Sequence, residues 1–133
     1  MAGLLHGVDI VDIDRIGDLV QSHGDRFVTR VFTEPERRYA ESSRPGRLER
    51  YAARFAAKEA VFKALGCGWA GGTAWTDVSV SHREGGGPEV SVAGHTATLA
   101  AAKGVQRWEI SLSHAGGLAM ASVIGVQGDA VDG

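Results

Sequence analysis

Along the chain, apolar residues first recur at helical spacing and then, past residue 66, alternate with polar ones. Leu4 to Ile10 reads as a short buried strand, and the aspartates at 12 and 14 open a helix that runs to about Ser22. A second short helix or turn covers Asp25 to Val31. In "TEPE", Thr33 takes the N-cap, Pro35 the first turn and Glu36 the third position after the cap, the pattern of a capping box. "SSRPGR" (42–47) breaks that helix, and a long one follows from Arg47 to Leu65 with Gly66 as its stop. Beyond it, "TDVSVSHR" and "PEVSVAG" flank "EGGG" as a hairpin. "TATLAAAKG" gives a short helix, and "RWEISLSH" and "LAMASVIGV" give two strands around "AGG". The prediction is an α+β domain, a mostly antiparallel sheet packed on one long central helix. It fills residues 1–126, and 127–133 form a frayed tail.

The long helix carries charge where its pattern asks for burial. At 100° per residue, Phe55, Leu48, Tyr51, Phe62 and Leu65 fall on one broad apolar face. Ala53, Ala56, Ala57, Ala60 and Ala64 make a second face, flat enough for another backbone to come close. Glu59 and Lys63 lie in the seam between the faces, and Lys58 lies inside the edge of the larger one. A carboxylate between Phe55 and Phe62 is costly to desolvate unless a positive partner meets it. Lys63, one turn on, is one such partner, in a simple surface pair. A divalent cation is another.

Asp9, inside "GVDIVDI", is a second carboxylate in an apolar setting, while Asp12 or Asp14 serves as helix cap. Two such carboxylates suit Mg²⁺, which takes one or two of them together with substrate phosphates. Charge is unevenly spread, with five Asp against one Arg in residues 1–25 and ten basic residues against five Glu in 26–63. Such a basic segment suits an anionic partner or, equally, a solvated face laced with ion pairs. No interleaved aromatic platform accompanies the arginines, and the sequence pI near 6.2 also argues against a nucleic-acid partner. No stretch reaches the roughly 20 apolar residues of a membrane span. The short apolar N-terminus has no basic leader, and the single Cys67 forms no internal disulfide, so a cytoplasmic location is expected.

"GCGWAG" (66–71) matches G-x-G-x-x-G but follows a helix instead of a strand, which excludes a dinucleotide fingerprint. Its glycines end the helix and either bring backbone amides near a ligand or form a plain loop. His114 closes "SLSH" as a structural hydrogen bonder or an anion contact. Ser111 and Ser113 lack a nucleophile elbow. The remaining histidines lack zinc-ligand spacing.

Three stretches, "GVDIVDIDRI", "RFAAKEAVFKALGCG" and "ISLSHAGGLAMASVIG", together resemble the holo-[acyl-carrier-protein] synthases, the short 4′-phosphopantetheinyl transferases. The superfamily motif F/W-x-x-K-E-A-x-x-K falls on Phe55, Lys58, Glu59, Ala60 and Lys63, and G-x-D falls on Gly7 and Asp9. The resemblance spans roughly residues 3 to 126. It implies transfer of the phosphopantetheine arm of coenzyme A to a serine of an apo acyl carrier protein, with release of adenosine 3′,5′-bisphosphate. By the same resemblance, Asp9 and Glu59 hold Mg²⁺ (or Mn²⁺), and Lys63 neutralises the diphosphate. Glu59, or a metal-bound water it orients, takes the serine proton. Arg54, Lys63, Gly66, Gly68, Pro88 and His114 contact coenzyme A, with Trp69 in the same loop.

The family also implies a homotrimer with active sites between subunits, and the Ala-rich helix face suits such packing. Arg15, Arg26 and Arg30 match positions that meet the acidic carrier. Three stretches depart from the family: Ser22 and Asp25 stand where further basic residues are frequent, Gly87 stands where a Lys often precedes Pro88, and Ala115–Leu118 replace polar residues and a Tyr. Those departures leave one rival, a coenzyme A- or carrier-binding trimer without turnover.

Overall fold

A computed structural model describes residues 3–67 and 72–128. The elements run in the order β1 (Leu4–Asp12), α1 (Ile13–Val31), α2 (Glu34–Ala40), α3 (Arg47–Leu65), β2 (Val78–His82), β3 (Pro88–Val92), α4 (Gly94–Ala102), β4 (Val105–Ala115) and β5 (Leu118–Gln127). A single 3₁₀ turn, Trp75–Asp77, leads into β2.

Both sheets are antiparallel, as the alternating pattern predicts: β1-β5-β4 in one and β2-β3 in the other. Strand β5 continues through Gln127, whose N–H donates to the Gly3 carbonyl at 2.9 Å, one residue past the boundary read from the sequence. Residues 129–133 lie outside the described residues.

Helix α1 is capped by Asp12, whose carboxylate accepts from the Asp14 N–H at 2.9 Å. At Gly24 the backbone leaves helical geometry (φ 50°, ψ −128°), so α1 is two helices end to end, as the sequence predicts on either side of residue 24. Thirteen of the nineteen residues of α3 are buried, which makes it the central helix of the fold.

The two faces of α3 pack on different neighbours. Tyr51 packs against Phe32 with ring centroids 4.8 Å apart, and Phe55 stacks on Trp75 at 4.9 Å. The Ala-rich face lies against the three-stranded sheet, so it is used inside the chain and is not free for trimer packing. The fit is closest at Gly7 of β1, where an added Cβ would stand 1.9 Å from the Ala60 carbonyl oxygen. Only glycine permits that approach.

Since β1 alternates, Gly7, Asp9 and Val11 face α3 while Leu4, Val8 and Ile10 face outward. The outward residues join Leu118 and Met120 of β5 as one exposed apolar face, with Ile10 directly opposite Met120. Leu4 is 66% exposed and Ile10 58%.

Candidate active site

The predicted site residues separate into two groups. The first gathers where β1 passes the C-terminal half of α3. The Gly7–Ala60 contact draws strand and helix together, and Asp9, two residues on, shares the inward face. Lys63 crosses the gap, donating to Asp9 Oδ1 at 2.8 Å and to the Val8 carbonyl at 3.2 Å. The ammonium therefore pairs with the strand carboxylate, so of the two partners the sequence offers Glu59, the i, i+4 surface pair does not form.

Glu59 is half-buried beside this pair. Burial pushes its carboxyl above the ordinary value, and the Asp9 carboxylate adds to the rise. Lys63 and Arg15 act the other way, so Arg15 on the first turn of α1 also belongs to this neighbourhood. The hydrogen bond to Asp9 raises the pKa of Lys63, which keeps its charge at neutral pH. Gly66 closes α3 in the left-handed conformation (φ 68°), its N–H donating to the Lys63 carbonyl at 3.1 Å. Gly68 and Trp69 lie outside the described residues.

Among the described residues, no group of three or more His, Cys, Asp or Glu side chains is placed to hold a metal ion by itself. Two hard-oxygen carboxylates on facing elements do fit an ion whose remaining ligands come from substrate phosphates and water. Zinc, which favours a fuller set of protein ligands with nitrogen or sulfur, is a poorer match.

The second group lines a cavity of about 510 Å³ whose wall includes Tyr39, Arg50, Arg54, His82, Pro88 and His114. Arg54 is only 3% exposed, and its Nε and one terminal nitrogen have no hydrogen-bond partner. Its guanidinium carbon lies 4.2 Å from the Tyr39 ring centroid, and that ring is tilted against His82 at 4.5 Å. Burial lowers the pKa of both Arg54 and His82. A buried guanidinium with N–H groups left unpaired beside a cavity has the chemistry to accept an anion.

Lys58 is not at either site. Its ammonium is fully buried and pairs with Glu36 Oε1 at 2.7 Å, so it is unavailable to phosphates. Glu36 was read from sequence only as a capping residue. It does accept the Thr33 N–H at 2.8 Å, and this local explanation hides its longer-range partner. Tyr39 and His82 also escaped notice, because nothing in their spacing links residue 39 to residue 82.

Comparison with known proteins gives the family. The sequence profile of the 4′-phosphopantetheinyl transferase superfamily matches residues 6–122. The chain belongs to that superfamily, in its holo-[acyl-carrier-protein] synthase family.

Two synthases of that family illustrate the match. The one from Koribacter versatilis (strain Ellin345) is 45% identical over 118 residues, covering 89% of this chain and 94% of the relative. The one from Desulforudis audaxviator (strain MP104C) is 46% identical over 120 residues, covering 90% of each. Among solved structures, a holo-(acyl-carrier-protein) synthase from Bacillus anthracis str. Ames in complex with CoA superposes with a TM-score of 0.74 at 30% identity. That alignment covers 94% of this chain and 98% of the other. This chain is accordingly an enzyme, a phosphopantetheinyl transferase. None of its described helices is long and apolar enough to cross a membrane.

Proposed function

We propose that this enzyme moves the phosphopantetheine arm of coenzyme A onto a serine hydroxyl of an apo acyl carrier protein, with a divalent cation held by Asp9 and Glu59. The observation that carries the reading is the contact of Lys63 with Asp9 across the gap between α3 and β1, beside a half-buried Glu59. One ammonium and two carboxylates on facing elements suit a diphosphate that arrives with its cation.

In the proposed step the serine oxygen bonds to the phosphorus next to the pantetheine, and the bond from that phosphorus to the bridging oxygen breaks. Adenosine 3′,5′-bisphosphate leaves. Mg²⁺, or Mn²⁺ in its place, supplies polarisation of the phosphorus and charge stabilisation on the leaving phosphate when bound. Lys63, protonated and exposed, neutralises charge that builds on the diphosphate. Glu59, or a metal-bound water that it would orient, accepts the serine proton.

Arg54, Pro88 and His114 bind the nucleotide end of coenzyme A in the cavity, where the unpaired Arg54 nitrogens meet phosphate oxygens. Gly66, which ends α3, joins them as a contact to the nucleotide end of coenzyme A. Arg15, Arg26 and Arg30 are all exposed on α1 and receive the acidic carrier. The influence of Arg15 on Glu59 supports a docking surface that abuts the reacting carboxylate.

The reading includes a homotrimer. Its support is the exposed apolar face of Leu4, Val8, Ile10, Leu118 and Met120, which a second copy of the sheet would cover. A cytoplasmic location completes it, supported by a sole cysteine that needs no oxidising compartment.

The test is intact-mass spectrometry of an apo acyl carrier protein incubated with enzyme, coenzyme A and Mg²⁺. A phosphopantetheine-sized gain that disappears with EDTA and with Glu59→Gln is the expected result. A gain that survives both would remove the metal and Glu59 from the mechanism.

A further inference from the structure

Lys58 precedes Glu59 in the motif, yet its side chain turns away from Asp9 and Lys63 toward α2 and the start of β2. The ammonium donates to Glu36 Oε1, to the Trp75 carbonyl at 3.2 Å and to the Val78 carbonyl. Glu36 in turn accepts the Thr33 N–H through Oε1 and the Val80 N–H through Oε2, each at 2.8 Å. Both side chains are fully buried, so neither touches coenzyme A or a carrier.

Stability alone is a weak reason for such a pair, since well-packed apolar residues commonly replace buried ion pairs at no loss. Position is the better reason. The two carbonyls that Lys58 holds bracket the 3₁₀ turn, and the turn carries Trp75. The Trp75 ring stacks on Phe55 (4.9 Å, 30°) and meets Phe62 edge-on (6.0 Å, 70°). Those two phenylalanines stand at i−4 and i+3 from Glu59, so the anchored turn presses on the helix surface that flanks the reacting carboxylate.

We propose that the buried Glu36–Lys58 pair is a positioning unit for the transfer reaction: it fixes the Trp75 turn against the Phe55–Phe62 face of α3 and so sets the flank of Glu59. The inference rests on the transferase reading above. Loss of the pair releases the turn and lowers turnover, even where the fold survives.

The experiment compares wild type with Lys58→Met and the uncharged double variant Glu36→Gln/Lys58→Met. Tm, hydrogen exchange in residues 72–80, and kcat and KM for coenzyme A are measured on each. Lys58→Met alone strands a buried carboxylate and lowers Tm, and the double variant recovers much of that loss. The double variant keeps fast exchange in 72–80 and a kcat/KM at least about tenfold below wild type, as misplacement by an ångström predicts.

A double variant with wild-type kcat/KM overturns the proposal. Should the double variant fail to fold, Trp75→Leu, which leaves the pair intact, takes its place. A tenfold loss there supports transmission through the ring, and wild-type kinetics overturn it. If wild type itself modifies no carrier, the transferase reading falls and takes this inference with it.

Discussion

Lys63 donates to Asp9 on the neighbouring strand and not to Glu59 on its own helix. The pair is open to solvent on the lysine side, with side-chain exposures of 55% for Lys63 and 14% for Asp9, so it adds little stability, below about 1 kcal/mol. Lys63→Met should therefore leave Tm nearly unchanged while kcat falls about a hundredfold, the scale of removing one charge-stabilising donor. Paired calorimetry and mass-based kinetics check both halves. A large Tm loss would make Lys63 a structural residue.

Glu59 gives a pH signature with a definite sign. Its folded-state pKa is raised from 4.5, first by burial and then by Asp9. Without metal, its contribution to stability is fully present below pH 4.5 and is lost as pH rises through the folded value. Glu59→Gln removes that loss. The Tm difference, variant minus wild type, should therefore grow from pH 4 to pH 8 in EDTA, and Mg²⁺ should shrink it by restoring the wild type alone. A difference independent of pH would show that Glu59 ionises as it does in water.

Arg54 holds a buried charge with unsatisfied N–H groups. Arg54→Met should leave Tm unchanged or raise it, because an unpaired charge is removed from the interior. KM for coenzyme A should rise at least about tenfold, the value of one charge-assisted hydrogen bond. A collapsed Tm with unchanged KM would assign Arg54 to the fold instead.

Gly7→Ala sets a methyl group against the Ala60 carbonyl, and neither backbone can yield. A loss of about 3 kcal/mol or more is expected, with transfer activity failing alongside it. Denaturant unfolding gives the number.

Gly87 stands in open space on the hairpin, with nothing within 4 Å of an added Cβ. Gly87→Lys should be neutral in Tm and lower KM for coenzyme A by a few-fold, on the scale of one exposed ionic contact. An unchanged KM would place the hairpin tip away from the substrate.

Most of the architecture was legible because its signals are local. The alternation of β2 and β3, the capping box at Thr33 and the stop at Gly66 each depend on residues within a few positions of one another. That Asp9 and Glu59 stand out was also legible, since each is anomalous in an apolar stretch, and the structure brings them together. Their partners were not. Lys63 meets Asp9 across 54 positions and Lys58 meets Glu36 across 22, and helical spacing offered a nearer candidate for the first and an ordinary cap for the second. The Ala-rich face was correctly read as a place for close backbone approach, but the backbone is the chain's own β1.

Strand β1 presents Gly7 and Asp9 to the helix through its odd positions and an apolar surface to the outside through its even ones. Inserting or deleting one residue between Gly7 and Asp9 would exchange those assignments, sending the carboxylate outward and an isoleucine or valine inward. Length in this short segment is thus under far tighter constraint than composition. Outer positions can drift among apolar residues, whereas a single-codon indel would turn Asp9 away from α3 and break up the outer face together.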